Sequence, residues 1–170
     1  MVRTQTVIDS WKTVREDTAL AVEDFPASEL DFRATPDMMT FGELARHILD
    51  AGHALTGLLL DGVDNFATPQ FREMLGKYKP ALPEHLDSAT LSAELRKSLD
   101  TRAAELSVKG DDFYSGIITR FDGQKVTRLE MLQFVKEHEL THRSQMFTYL
   151  RLKGVVPATT RRRLAKQKSA

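Results

Sequence analysis

Two stretches of this chain open on the same start signal and then set apolar side chains at helical spacing, which leaves room for little but a helical bundle. Thr40 and Glu43 make a Thr-x-x-Glu capping box. Leu44, His47, Ile48, Ala51, Leu55, Leu58 and Leu59 follow on one face, up to a stop at Asp61-Gly62. Thr127 and Glu130 repeat the box, and Met131, Val135, His138, His142, Met146 and Tyr149 form the stripe behind it. Lys153-Gly154 ends that segment, with Pro157 shortly after. Two more helices are expected. Residues 3–23 carry Val7, Trp11, Val14, Thr18 and Ala21 near helical spacing, and the run stops at Phe25-Pro26, where proline cannot continue the backbone ladder. Residues 88–108 carry Leu91, Leu95, Leu99 and Ala103 and end on Lys109-Gly110.

The connections set the topology. Residues 63–87 are long enough for a return crossover, which would make the second and third helices parallel, and residues 71–78 read as a short helix within it. Residues 117–126 hold Asp122-Gly123 between apolar neighbours, a hairpin signal. The expected fold is all-α: a four-helix bundle with a long crossover between helices two and three and a small β-hairpin before helix four. A chain of 170 residues suits one domain. We take residues 1–157 as the bundle and residues 158–170 as a basic C-terminal tail. That tail holds Arg161, Arg162, Arg163, Lys166 and Lys168 without an acid, and reads as a solvated terminus.

Composition narrows the function classes. Lys plus Arg and Asp plus Glu both number 24, so no global field favours nucleic acid or a membrane surface as partner. No run approaches the ~20 apolar residues of a membrane span, and the first ten residues lack a signal-peptide core. The expectation is a cytoplasmic protein. Cysteine is absent, which removes disulfides, thiolate ligands and a cysteine nucleophile.

The histidines carry the chemistry. His138 and His142 are four residues apart, one turn above each other on an apolar stripe. That spacing lets two imidazoles grip one metal ion, and buried imidazoles need partners. His47 occupies the stripe of the second helix between Leu44 and Ala51. His53 lies six residues on, about 240° around the helix, and so faces elsewhere. His85 sits in a proline-rich loop. The candidate metal ligands are therefore His47, His138 and His142. Three neutral imidazoles suit a divalent transition metal, zinc or nickel foremost, with iron, manganese and copper as alternatives. Three protein ligands leave a position open for water or for an incoming thiol.

His138-Glu139-Leu140-Thr141-His142 also matches the His-Glu-x-x-His motif of zinc peptidases, in which the glutamate is general base. Residues 143–170 contain no Asp, Glu or His, so the downstream third ligand of that class has no candidate. Glu139 is read instead as a solvated helix residue. Arg143 and Gln145 are candidates to line a pocket for an anionic cosubstrate, and a surface charge accounts for Arg143 equally well. Glu43 and Asp50 flank His47 along its helix as candidate orienting groups, although capping explains Glu43 and exposure explains Asp50. Residues 66–83 would either cover one end of the bundle or simply connect.

The runs Thr40-Phe41-Gly42-Glu43-Leu44-Ala45-Arg46-His47, His138 to Gln145, and Tyr149-Leu150-Arg151-Leu152-Lys153-Gly154-Val155-Val156-Pro157 together resemble the DinB-like (YfiT-type) metalloenzymes, over about residues 5–157. The family's usual His-Arg-Gly-Gln is His142-Arg143-Ser144-Gln145 here, a change that adds bulk at the third position. The resemblance implies a four-helix bundle, a homodimer, and a divalent metal on His47, His138 and His142. It further implies a metal-dependent enzyme such as an S-transferase joining a low-molecular-weight thiol (bacillithiol or mycothiol) to an electrophilic substrate, or a relative of maleylpyruvate isomerase. The alternatives are a non-catalytic metal-binding or stress-associated bundle and, behind it, a zinc hydrolase.

Overall fold

The computed structural model describes residues 3–169. Four long helices form the body: α1 (Thr4–Asp24), α2 (Phe41–Leu60), α4 (Ser88–Ser107) and α6 (Arg128–Leu152). Both capping boxes form: the Thr40 hydroxyl accepts from the Glu43 backbone N–H while the Glu43 carboxylate accepts from that of Thr40, and Thr127 and Glu130 do the same. Asp87 caps α4 through the backbone N–H of Thr90. No described helix is long and apolar enough to cross a membrane.

The helices close into a ring: α1 packs on α4 and α6, and α2 on α6 and α4. Direction follows from the core, which is split in two. One apolar cluster joins Val7–Val14 of α1, Leu55–Leu59 of α2, Leu99–Leu106 of α4 and Met131–Val135 of α6. The other joins Ala19–Val22, Phe41–Leu49, Leu91–Leu95 and Met146–Leu150 of the same helices. The early part of α2 thus meets the early part of α4, and their late parts meet at the other end. They run parallel, and α1 and α6 run opposite to both. The long crossover makes this possible, as the sequence leads one to expect. It contains α3 (Phe71–Tyr78), which packs on α2, and it returns far enough for the Pro83 carbonyl to accept from Arg46 at 2.6 Å.

The expected hairpin is present. Strands β1 (Ile117–Thr119) and β2 (Lys125–Thr127) pair antiparallel, with Ile118 opposite Val126. Gly123 supplies the positive φ of +84° that the turn requires. Two α-helices among the described residues are additions to the expected set. α5 (Asp111–Ser115) bridges α4 to the hairpin. α7 (Ala158–Lys168) forms where a solvated terminus was expected. It is held by charge, with Arg161 on Asp24 at 2.8 Å and Arg162 on Asp17, while Ala158 is its only buried residue among those described.

Between the two apolar clusters lies a polar waist. Arg15 and Thr18 from α1, Gly52 and His53 from α2, Ser98 from α4, and His138, Glu139 and His142 from α6 all fall at the junction. The candidate site is built into this layer.

Candidate metal centre

His47 arrives from the first half of α2, and His138 and His142 from successive turns of α6. The antiparallel packing of these two helices brings the three half-buried rings together. The Nε2 atom of His138 lies 3.1 Å from that of His47 and 3.1 Å from that of His142. The rings stand at 62° to 90° to one another, so their tips converge while their faces diverge. One ligand atom from each residue falls within a 4.8 Å spread. His53 is elsewhere, with Nδ1 at 2.9 Å from Ser98 Oγ, and His85 is exposed on the crossover.

Protons alone do not satisfy this arrangement. A neutral imidazole carries one N–H, so His138 Nε2 can donate to one neighbour or accept from one, but cannot bridge both as donor. A cation at the common focus serves all three lone pairs. With metal–nitrogen bonds of about 2.0–2.1 Å, a 3.1 Å separation subtends about 95–100° at the ion, between octahedral and tetrahedral values. The donor set fits a divalent transition metal. Burial favours the neutral form of His138, pushing it down to about 4, with the charges of His142 and His47 adding to the effect. His47 is lowered as well, by burial first and then by His142, against the opposing pull of Asp50.

The glutamate of the His-Glu-x-x-His run is not a solvated residue, and that reading is corrected here. Glu139 is 2 % exposed and turned toward α1. Its carboxylate accepts from Trp11 Nε1 at 2.7 Å, from Arg15 Nε and Nη2 at 2.8 Å each, and from Thr18 Oγ1 at 2.8 Å. Adjacent residues of a helix differ by about 100° in direction, so a residue beside two ligands faces a different neighbour. Every lone pair of this carboxylate is engaged, which removes it as a general base for chemistry at the histidines. Arg15 also donates to the Leu95 carbonyl at 3.0 Å, which ties α4 to the same knot. Gly52 lets α2 approach: a Cβ there would stand 2.8 Å from Arg15 Nη2.

Arg143 is not a free surface charge: its side chain is largely covered. It turns to α1 and meets Asp17 Oδ2 at 3.3 Å, and Asp17 also receives Arg162 of α7. Gln145 places its amide oxygen 2.8 Å from His142 Nδ1. Glu43 is occupied as a cap, and Asp50 holds Arg46 at 2.8 Å and lies 3.7 Å from Lys79, so neither bonds the His47 ring. A cleft of about 780 Å³ opens beside His47, lined among others by Arg33, Glu43, Arg46, Asp50 and Lys79. The crossover thus forms one wall of the cleft. On the other flank Phe134, one turn before His138, sits 6.4 Å from its ring.

The model of the DinB family matches residues 1–169. No curated protein is significantly similar in sequence. Among solved structures, a DinB-like protein from Bacillus subtilis aligns with a TM-score of 0.67 at 21% identity, over 88% of this chain and 92% of that one. YfiT from Bacillus subtilis, described as a probable metal-dependent hydrolase with an unusual four-helix bundle topology, aligns with a TM-score of 0.69 at 17% identity, over 89% and 88%. A mycothiol-dependent maleylpyruvate isomerase aligns with a TM-score of 0.63 at 12% identity, over 85% of this chain and 61% of that one.

Proposed function

This chain belongs to the DinB family, and from that premise we propose that it is an enzyme that holds a divalent transition metal on His47, His138 and His142 and transfers a small-molecule thiol to an electrophile. The observation that carries the reading is the convergence of three imidazole nitrogens, two pairs of them 3.1 Å apart and sharing His138 Nε2, which a single N–H cannot serve at once. Zinc and nickel are the metals we propose, from among the zinc, copper, iron and nickel that imidazole ligands suit. A bound metal there would supply Lewis acidity, lowering the pKa of a thiol or water that takes its open position.

The chain's own residues do the rest. His47, His138 and His142 would hold the ion, and three protein ligands would leave a position for water or a thiol. The chain has no cysteine, so the transferred sulfur comes from a cosubstrate. Sulfur bonds to the electrophilic carbon and the thiol proton is lost to solvent; on a chlorinated aromatic the chloride departs with its electron pair, and on an epoxide the C–O bond breaks and the retained oxygen takes up a proton. The cleft beside His47 is walled by paired charges, Arg46 with Asp50 and Arg33 with Glu43, and suits a hydrophilic cosubstrate. Thiol dependence in one structural neighbour supports this choice. Hydrolysis, the activity described for another neighbour, would need a base other than Glu139.

The test is metal content and turnover together. Elemental analysis of the purified protein and of the five single His→Ala variants should show stoichiometric metal lost at 47, 138 and 142 and kept at 53 and 85. Metal-loaded protein should then consume a thiol from a panel of low-molecular-weight thiols when given a chlorinated aromatic or epoxide acceptor. Metal without turnover on any pair would leave a non-catalytic metal-binding bundle.

A further inference from the structure

The three rings of the centre are not held alike. His142 Nδ1 faces the Gln145 side-chain oxygen at 2.8 Å. The Nδ1 atoms of His47 and His138 have no protein partner among the described residues; both rings make contact through Nε2 alone. Gln145 therefore touches the one ring whose proton position the protein controls. A carbonyl oxygen can only accept, so a bond at this distance requires the proton on Nδ1. With the proton there, Nε2 of His142 is left as a lone pair pointing at the focus of the cluster. The other two rings are aligned by packing between α2 and α6 but are free to exchange tautomers.

We infer that Gln145 is the positioning residue of the centre: its amide oxygen holds His142 as the Nδ1–H tautomer and presents Nε2 as a ready-made ligand before any metal arrives. Spacing makes this work. Gln145 follows His142 by three residues, so its side chain lies over the same face one turn on, within the same rigid helix. For His138 or His47 to ligate as a neutral ring through Nε2, any proton carried there would have to move to its own Nδ1, whereas His142 would need no such change. An orienting group of this kind typically changes metal affinity by about 10–100-fold.

The second half of this inference rests on the metal reading above; the first half does not, and the experiment separates them. In metal-free protein held in mildly alkaline buffer, nitrogen-15 NMR with long-range proton correlations reports which ring nitrogen carries the proton. His142 should appear as the Nδ1–H form, and Gln145→Leu should shift it toward the Nε2–H form. An Nε2–H ring in the wild type, with the amide turned to donate, would overturn the inference whether or not metal binds. Chelator-competition titration with Zn(II) then measures affinity. Gln145→Leu should weaken binding by about 10–100-fold, while Gln145→Glu, which keeps the acceptor, should match the wild type or bind tighter. Urea midpoints near the wild-type value would show that the loss is not structural. Equal affinity in the wild type and Gln145→Leu would sink the positioning role, and so would equal losses in both variants. A wild type that binds no zinc at all would sink the metal reading while leaving the tautomer result standing. Should Gln145→Leu not fold, the wild-type tautomer and Gln145→Glu still decide the matter.

Discussion

Changing Glu139 to Gln removes one charge and one acceptor from a carboxylate that receives four hydrogen bonds, two of them from a guanidinium that is itself 2 % exposed. The glutamine oxygen can keep some of these bonds. Its NH₂ group must then face donors, and Arg15 is left buried without a counter-ion. Breaking a buried pair from one side costs about 3–5 kcal/mol, because the remaining charge stays desolvated. For a domain of this size each kcal/mol lowers the melting temperature by about 2–4 °C, so the expected fall is roughly 6–20 °C. Urea unfolding is the assay, followed by far-UV circular dichroism and by the fluorescence of Trp11. That residue is the chain's single tryptophan and a direct partner of Glu139, so the indole reports from the knot itself. Replacing both charges with apolar side chains, as in Arg15→Met with Glu139→Leu, should recover most of the loss, since the desolvation penalty then disappears with the pair. If Glu139→Gln cost less than about 1 kcal/mol, the range of an exposed pair, the buried knot would not be structural. If it abolished turnover at unchanged stability, the glutamate would be acting as a base after all.

Other outcomes follow from the same geometry. Gly52→Ala puts a methyl group against a guanidinium that cannot move aside without leaving Glu139; a loss of about 1–3 kcal/mol in urea titration is expected, and a neutral result would show that Arg15 has slack. Asp17→Asn removes the shared counter-ion of Arg143 and Arg162, so hydrogen exchange should quicken throughout α7 while the bundle helices stay protected. Tyr114 is pushed up to about 12 by burial, with its hydroxyl donating to the Leu106 carbonyl at 2.6 Å. Its folded pKa lies above the unfolded value near 10, so this stabilisation is complete below pH 10 and fades as pH rises toward about 12. Tyr114→Phe should flatten that part of the stability–pH curve relative to the wild type, and parallel curves would refute the assignment.

What the sequence disclosed, and what it hid, divides along local and distant causes. The four long helices announce themselves because apolar stripes and capping boxes are signals written within a few residues, and the Asp122-Gly123 turn is equally local. The histidine cluster is legible for the same reason: each of its members interrupts an otherwise apolar stripe, and an imidazole at such a place needs a partner. α7 is not legible, since its sequence is almost wholly polar and its docking depends on Asp17, 145 positions before Arg162. α5 spans five residues, too few to show a period. The burial of Glu139 depends on a helix 121 to 128 positions away. One clue was available: Trp11, Arg15 and Thr18 share a face of α1, and a cation inside an apolar stripe asks for an anion from some other element.

That clue also explains how one short motif comes to serve a different end here. In His-x-x-x-His the spacing dictates that both imidazoles look the same way; it dictates nothing about the residue between them except a turn of about 100° away. In a cleft-lining helix, that direction opens on substrate, and a glutamate there can take a proton. In a closed ring of four helices the same direction meets the next helix. α1 offers an indole, a guanidinium and a hydroxyl at the place where α6 offers Glu139, so the carboxylate becomes the bond between helices. The histidines gain a rigid backing from it: His138 is attached to a residue that cannot shift without breaking four hydrogen bonds, while its own ring needs only to find the focus shared with His47 and His142. What decides the chemistry of the motif is which element packs against the flank of the helix that carries it.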